Sequence, residues 1–186
     1  MPWNLPTLLT WTRVVAIPLL VAVFFLPVAP FTQNLLATVL FVGAAITDWL
    51  DGWLARRWGQ TSAFGAFLDP VADKLIVCVA LIMLVDLGRV DPVVAAIIIG
   101  RELTISALRE WMAAIGERTK VGVAWLGKVK TVVQMIAIII LLMQHRYVGK
   151  PLYWFGKALL IAAAALTIWS AFVYLRAAWP VIRSRA

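Results

Sequence analysis

The chain has 186 residues, of which 63% are hydrophobic and 14% charged, and its formal net charge is +8. Soluble domains are close to half apolar, so this composition predicts a single integral membrane domain over residues 1–186 rather than a soluble protein. In a membrane protein, excess Lys and Arg indicate cytoplasmic loops and anionic lipid contact, and no nucleic-acid-binding pattern accompanies them here.

Long apolar stretches separated by short polar breaks predict an all-α protein with six transmembrane helices, since about 20 apolar residues cross a bilayer. We place the spans near residues 8–28, 33–55, 66–87, 92–114, 122–143 and 152–175. Residues 1–13, which include Trp3, Trp11 and Arg13, predict a short interfacial segment before the first span. A cleavable signal peptide is the alternative for this end; it is disfavoured because Arg13 is the only early positive charge.

The basic residues are divided unequally between the two sets of predicted helix ends. The smaller set holds Arg89, Arg146, Lys150 and Lys157. The larger set holds Arg13, Arg56, Arg57, Arg109, Arg118, Lys120, Lys128, Lys130, Arg176, Arg183 and Arg185. Because positive loops stay in the cytoplasm, we expect both termini and the turn after Arg56 to face it.

Four of the nine acidic residues lie where the second and third predicted helices meet. Asp48 and Asp51 share one helix face, and Asp69 and Asp73 share a face of the next helix. The polar link around Gly59 predicts a tight turn, so both acidic faces are expected to meet near it.

Converging carboxylates without matching Lys or Arg repel one another, and divalent cations relieve that repulsion. Oxygen ligands favour Mg²⁺, Mn²⁺ or Ca²⁺, and a pair of such ions suits phosphoryl transfer. The structural alternative is a set of helix-terminal acids paired with Lys and Arg.

Small residues accompany the acids. Gly52 and Ala55 lie on the first acidic face and Gly65 opens the second, which would let a bulky ligand approach the backbone. Arg56, at the helix end, can donate to two phosphate oxygens at once.

A second polar series follows in the later helices. Arg101 and Arg109 share a face, and Lys128 and Lys130 lie near the start of the fifth helix. Charges at membrane depth are functional candidates, and these four could bind an anionic phosphate. Internal pairing, for example of Lys74 or Arg101 with Glu102, is the alternative; for Lys128 and Lys130, function is favoured because no acid nearby in sequence neutralises them.

The aspartate pattern reads D-x-x-D-G-x-x-A-R over residues 48–56, then eight residues, then G-x-x-x-D-x-x-x-D over residues 65–73. It resembles the signature of the CDP-alcohol phosphatidyltransferase family at all its fixed positions. The resemblance extends through residues 4–13, 101–111 and 127–134 to the bacterial members that use sn-glycerol 3-phosphate.

The resemblance implies a reaction in which CDP-diacylglycerol and sn-glycerol 3-phosphate give phosphatidylglycerol phosphate and CMP. It implies that Asp48, Asp51, Asp69 and Asp73 hold two Mg²⁺ or Mn²⁺ ions, with Asp73 also the general base. It further implies a six-helix homodimer in the bacterial inner membrane. On this basis the nucleotide would bind at Gly52, Ala55, Arg56 and Gly65. The acceptor phosphate would bind at Arg109, Arg118, Lys128 and Lys130, with Arg101 a weaker candidate.

Three other functions remain open at this point. A sister transferase would use inositol phosphate, serine or phosphatidylglycerol as its acceptor. A divalent-cation transporter would also place carboxylates in the membrane, although along its depth rather than at one turn. A non-catalytic scaffold leaves the complete pattern unexplained.

Overall fold

Six helices follow one another along the chain in the computed structural model, which describes residues 5–58, 63–116, 124–144 and 149–185. The helices are α1 (Leu5–Val23), α2 (Pro30–Trp58), α3 (Ala63–Asp86), α4 (Pro92–Ala114), α5 (Ala124–Leu142) and α6 (Lys150–Arg185). Within these ranges there is no strand, so the predicted all-α class and the predicted number of helices are confirmed.

The turn between α3 and α4 shows why the breaks could be predicted. Gly88 adopts a positive φ of 66°, a conformation that glycine reaches without steric cost, and it follows the last turn of α3. Asp91 then caps α4 by accepting a hydrogen bond of 2.8 Å from the backbone amide of Val93. Pro92 begins α4, where its missing amide hydrogen leaves no helical bond unmade.

The first helix differs from its prediction at both ends. It runs without a break from Leu5 through Arg13, so residues 5–13 belong to the same helix as the first predicted span, and their place at a membrane interface remains a prediction. It ends at Val23, five residues before the predicted limit of 28. The amide of Phe24 donates to the carbonyl three residues back, and Pro27, which has no amide hydrogen, follows closely.

The most extensive packing is between α5 and α6, and α1 packs against both α2 and α3. The buried core joins these groups through large apolar side chains that include Leu20, Phe41, Leu81, Ile98 and Leu141. Arg13, in the middle of α1, contacts Asp48 of α2 and Asp73 of α3, so the acidic ends of α2 and α3 lie beside the middle of α1.

Two helices in the described part of the chain are long and apolar enough to cross a membrane. These spans are Pro30–Leu50, with a mean hydropathy of 1.3, and Lys150–Arg183, with a mean hydropathy of 2.1. The other helices carry shorter apolar stretches, such as Thr10–Val23 and Val129–Leu142, and charged residues interrupt α3 and α4. The six helices are therefore observed, whereas six membrane crossings remain a prediction.

Candidate active site

The centre of the candidate site is Arg13, which lies in the middle of α1 with only 1% of its side chain exposed. Its Nη1 atom donates to Oδ1 of Asp48 at 2.9 Å and also to Oδ1 of Asp73. Its Nη2 atom donates to Oδ1 of Asp69 at 3.2 Å. A guanidinium has five N–H donors in a fixed plane, so one side chain can hold several carboxylates at once.

Thr10 supports the same arrangement from one turn earlier on α1. It is buried, with 1% of its surface exposed, and its hydroxyl donates to Oδ1 of Asp69. Residues three apart on a helix share a face, which explains why Thr10 and Arg13 reach the same carboxylate. The face of α1 that carries them therefore brings the acidic ends of α2 and α3 to one point.

A cavity of about 100 Å³ lies beside these carboxylates, between α2, α3 and α5. Asp48 and Asp73 form part of its wall, together with Thr131 and Gln134 of α5. The rest of the wall is apolar and is formed by Phe41, Ala44, Ala45, Ile76, Val77 and Met135. Asp48 and Asp73 are thus available from the cavity side.

A second polar layer connects α3, α4, α5 and α6. Lys130, only 4% exposed, donates to Glu102 of α4. Arg101 donates to the hydroxyl of Ser170 on α6 at 2.7 Å and lies 3.5 Å from Glu102.

Lys74 of α3 also joins this layer by donating to Ser106 of α4. No acid close in sequence neutralises Lys130, as expected from the sequence, but Glu102 pairs with it from a neighbouring helix.

The comparisons with known proteins agree with this geometry. The sequence model of the CDP-alcohol phosphatidyltransferase family matches residues 3–169. The chain belongs to the CDP-alcohol phosphatidyltransferase family. The family resemblance that the aspartate spacing predicted is thereby confirmed.

Curated relatives match over nearly their whole length. One from Pectobacterium atrosepticum, named CDP-diacylglycerol–glycerol-3-phosphate 3-phosphatidyltransferase, is 52% identical over 180 residues, which is 96% of each chain. Relatives with the same name from Escherichia coli strain K12 and Shigella flexneri are 50% identical over 185 residues, again 96% of each chain.

The remaining predicted site residues of this CDP-alcohol phosphatidyltransferase are only partly described. Asp51, Gly52, Ala55 and Arg56 lie in α2, Gly65 lies in α3 and Lys128 lies in α5, and their side chains lie outside the described part of the structure. Arg118 lies outside the described residues. Arg109 is exposed on α4, and its guanidinium lies 5.9 Å from the ring centre of Tyr174 on α6.

The carboxylates fit the divalent ions that the family resemblance implies. Asp48, Asp69 and Asp73 remain 47%, 39% and 40% exposed, respectively, so each can turn toward another ligand. Carboxylate oxygens are the donors that Mg²⁺ and Mn²⁺ prefer. Among the described side chains, no group of three His, Cys, Asp or Glu is placed to hold a metal ion as it stands. Instead, Arg13 occupies the point where the described carboxylates meet.

Sequence reasoning missed the partners of the residues that it identified. Arg13 was interpreted as an interfacial charge, Thr10 was given no role, and Glu102 was considered as a partner of Lys74 or Arg101 but not of Lys130. The signal available for α1 was the spacing of Thr10 and Arg13 on one face of a mainly apolar helix. No comparable signal connects Glu102 with Lys130, because they are 28 residues apart.

Proposed function

We propose that this chain transfers the phosphatidyl group of CDP-diacylglycerol to sn-glycerol 3-phosphate, giving phosphatidylglycerol phosphate and CMP. The observation that carries the proposal is the convergence of Asp48, Asp69 and Asp73 beside a cavity. Sequence identity of about half to transferases named for this reaction supports the choice of acceptor.

The aspartates would have two tasks. Asp48, Asp51, Asp69 and Asp73 would hold two Mg²⁺ or Mn²⁺ ions, whose chemistry is to offset the charge of the diphosphate in CDP-diacylglycerol. Asp73 would also accept the proton of the 1-hydroxyl of sn-glycerol 3-phosphate. Arg13 and Thr10 orient these carboxylates, since they hold Oδ1 of Asp73 and Asp69, respectively.

The bond changes follow from these positions. As Asp73 takes the proton, the hydroxyl oxygen attacks the phosphorus that carries the diacylglycerol. The bond from that phosphorus to the bridging oxygen breaks, and CMP leaves with the electron pair. Gly52, Ala55, Arg56 and Gly65 would seat the cytidine and its phosphates, because small residues on the acidic faces leave room for them.

The acceptor phosphate requires cations. The candidates are Arg101, Arg109, Arg118, Lys128 and Lys130. Among the described side chains, Arg109 is the exposed candidate, while Arg101 and Lys130 are held by Ser170 and Glu102. Because Arg109 is exposed, it would be the first of these residues to contact the acceptor phosphate. Lys130 would then interact with both Glu102 and the bound phosphate.

The same proposal includes a membrane setting. Large apolar side chains are exposed on the surface, among them Phe25 at 79%, Trp49 at 67% and Trp154 at 63%. Such a surface suits lipid contact. We propose six crossings of the bacterial inner membrane, with both termini and the aspartates at the cytoplasmic side, and a homodimer as the working form.

The direct test of the proposed reaction compares possible acceptors. Purified protein is mixed with CDP-diacylglycerol and Mg²⁺, and CMP release is measured with sn-glycerol 3-phosphate, inositol phosphate, serine or phosphatidylglycerol. We expect release with sn-glycerol 3-phosphate, matched by phosphatidylglycerol phosphate. Release with another of these acceptors alone would assign the chain to a sister transferase.

A further inference from the structure

Gln134 lines the cavity and carries a buried polar atom without a partner among the described residues. The residue is 4% exposed, and its Oε1 atom has no hydrogen-bond partner among the described residues. Nearly all buried polar atoms in native proteins are paired with protein, water or ligand. A lone amide oxygen at this position therefore points to a hydrogen-bond donor that enters the cavity.

The cavity limits what that donor can be. Its volume of about 100 Å³ leaves room for a short alcohol beside Asp73 and Gln134. An acyl chain would fit the apolar wall but has no hydrogen to donate to Oε1. A short carbon chain with a hydroxyl group can pack against the apolar wall and donate a hydrogen bond to the amide oxygen.

The position of Gln134 relates it to the acceptor. Asp73 and Gln134 line the same cavity from α3 and α5. Lys130 precedes Gln134 on α5 by four residues, or about 6 Å along the helix axis. A three-carbon alcohol phosphate is of that length, so its phosphate could lie toward Lys130 while its hydroxyls lie between Asp73 and Gln134.

We propose that Gln134 determines acceptor specificity by accepting a hydrogen bond from the 2-hydroxyl of sn-glycerol 3-phosphate. This rests on the proposed function, in which the 1-hydroxyl reacts at Asp73. Holding the neighbouring hydroxyl fixes the rotation of the carbon chain and so aims the reacting oxygen.

The test compares two acceptors that differ only in that hydroxyl. They are sn-glycerol 3-phosphate and 3-hydroxypropyl phosphate, and kcat/KM is measured for the wild type and for Gln134→Met. The wild type should prefer sn-glycerol 3-phosphate by about tenfold or more, because the analogue leaves the amide unpaired. Gln134→Met should lose that preference by reacting more slowly with sn-glycerol 3-phosphate while changing about twofold or less with the analogue.

The matched control is Gln144→Met. Gln144 also has a buried Oε1 without a partner among the described residues, but it lies beyond the end of α5 and does not line the cavity. It should keep the wild-type preference. The proposal is overturned if Gln134→Met keeps the wild-type preference, which includes the case in which kcat/KM falls by the same factor for both acceptors. It is also overturned if Gln144→Met loses the preference.

Misfolding of the variant and failure of the proposed function can each be distinguished from the outcomes above. If Gln134→Met does not fold, Gln134→Asn keeps the amide but shortens its reach, and an undiminished preference in that variant overturns the proposal. A wild-type protein that uses neither acceptor but transfers to another alcohol refutes the proposed function itself, and with it this role of Gln134.

Discussion

At the scale of single residues, Arg13 stabilises the aspartate cluster. A buried guanidinium that contacts Asp48, Asp69 and Asp73 offsets the repulsion between their carboxylates. Because those carboxylates stay partly exposed, they can exchange Arg13 for another positive ligand. We therefore propose that Arg13 positions the aspartates to which we assign the reaction.

The first prediction concerns Arg13→Gln. Loss of the guanidinium should lower kcat/KM by about 10²-fold, since displacing catalytic groups by about 1 Å has effects of that size. It should also lower the melting temperature in the absence of divalent ions, because partly buried carboxylates are left unpaired. Added Mg²⁺ should then raise the melting temperature of the variant more than that of the wild type.

Arg183→Gln is the control for charge alone. Arg183 is exposed near the end of α6, so this variant should match the wild type in rate and in its response to Mg²⁺. An Arg13→Gln protein with wild-type rate and wild-type response would remove Arg13 from the positioning role.

The aspartates could be predicted from sequence and their partner could not. Helical spacing places Asp69 and Asp73 on one face, and a tight turn brings that face toward Asp48. The contacts of Arg13 with Asp48, Asp69 and Asp73 span 35, 56 and 60 residues, respectively. Those pairings depend on how α1 packs against α2 and α3, which no local pattern encodes.

At the scale of helices, the pair of Glu102 and Lys130 connects α4 with α5 beside the site. Lys130 is nearly fully buried and Glu102 is 22% exposed, so removing either partner leaves a charge in a dry environment. The pair therefore restricts the relative position of the two helices that carry the candidate phosphate-binding residues.

The second prediction is a coupling energy between these residues. Glu102→Gln and Lys130→Met should each lower thermal stability, and the double variant should lose less than the sum of the two. The expected coupling is about 1–3 kcal/mol, as for contacting residues in a buried network. Thermal unfolding of the four proteins in detergent measures it.

Glu110 provides the control for the cycle between Glu102 and Lys130. It is an exposed glutamate of the same helix, so Glu110→Gln combined with Lys130→Met should show additive effects within about 0.5 kcal/mol. Equal coupling in both cycles would mean that the Glu102 contact has no special energetic role.

The third prediction concerns the interface of α5 and α6. A Cβ atom added at Gly156 would lie 2.8 Å from Cγ2 of Ile140 and 3.3 Å from Cδ2 of Leu141, whereas one added at Gly43 meets nothing within 4 Å. Gly156→Val should therefore destabilise the protein by about 1–3 kcal/mol, as overpacked cores do. Gly43→Val should be neutral or stabilising, and equal melting temperatures for the two variants would contradict this account of the interface.

Helix boundaries were predictable where local chemistry punctuates the chain. Gly88 and Pro92 marked the turn between α3 and α4 correctly. The end of α1 was predicted too late because Phe24, Phe25 and Leu26 are apolar although they lie beyond the α-helix. Their amides donate to carbonyls three residues back instead of four. Apolar character alone does not keep a segment helical near Pro27.

At the scale of the whole molecule, a polar cluster at the end opposite the aspartates joins three elements. Arg89 donates to the carbonyls of Leu141 and Leu142 at 3.0 and 2.9 Å and to Oδ1 of Asn34 at 2.9 Å. A cation at the carboxyl end of α5 also interacts favourably with the helix dipole. Burial lowers the pKa of Arg89, yet a guanidinium remains charged at neutral pH.

The fourth prediction tests the proposed orientation in the membrane. Cys78 is the single cysteine, so Cys78→Ser allows new cysteines to be labelled one at a time. Leu152→Cys and Arg183→Cys place exposed thiols near opposite ends of α6. An impermeant maleimide should label position 152 in spheroplasts and position 183 only after lysis, and labelling of both from the same side would contradict the orientation.

Composition predicted the membrane character that we propose, but the number of crossings does not follow from it. Two helices satisfy length and hydropathy together, whereas charged residues interrupt α3 and α4. The charged residues that we propose for the site therefore weaken the sequence signal for a membrane span in these two helices.

The central claim is that Asp48, Asp69 and Asp73 act together at one point to transfer a phosphatidyl group to sn-glycerol 3-phosphate. The most direct measurement is CMP release from CDP-diacylglycerol that depends on this acceptor, in the wild type and in three single Asp→Asn variants. Each variant should be slower by about 10²–10⁴-fold, the size of a general-base or metal-ligand contribution. Asp86→Asn, an exposed aspartate at the opposite end of α3, should match the wild type. A wild-type rate in any of the three variants, or no release with sn-glycerol 3-phosphate, would contradict the account.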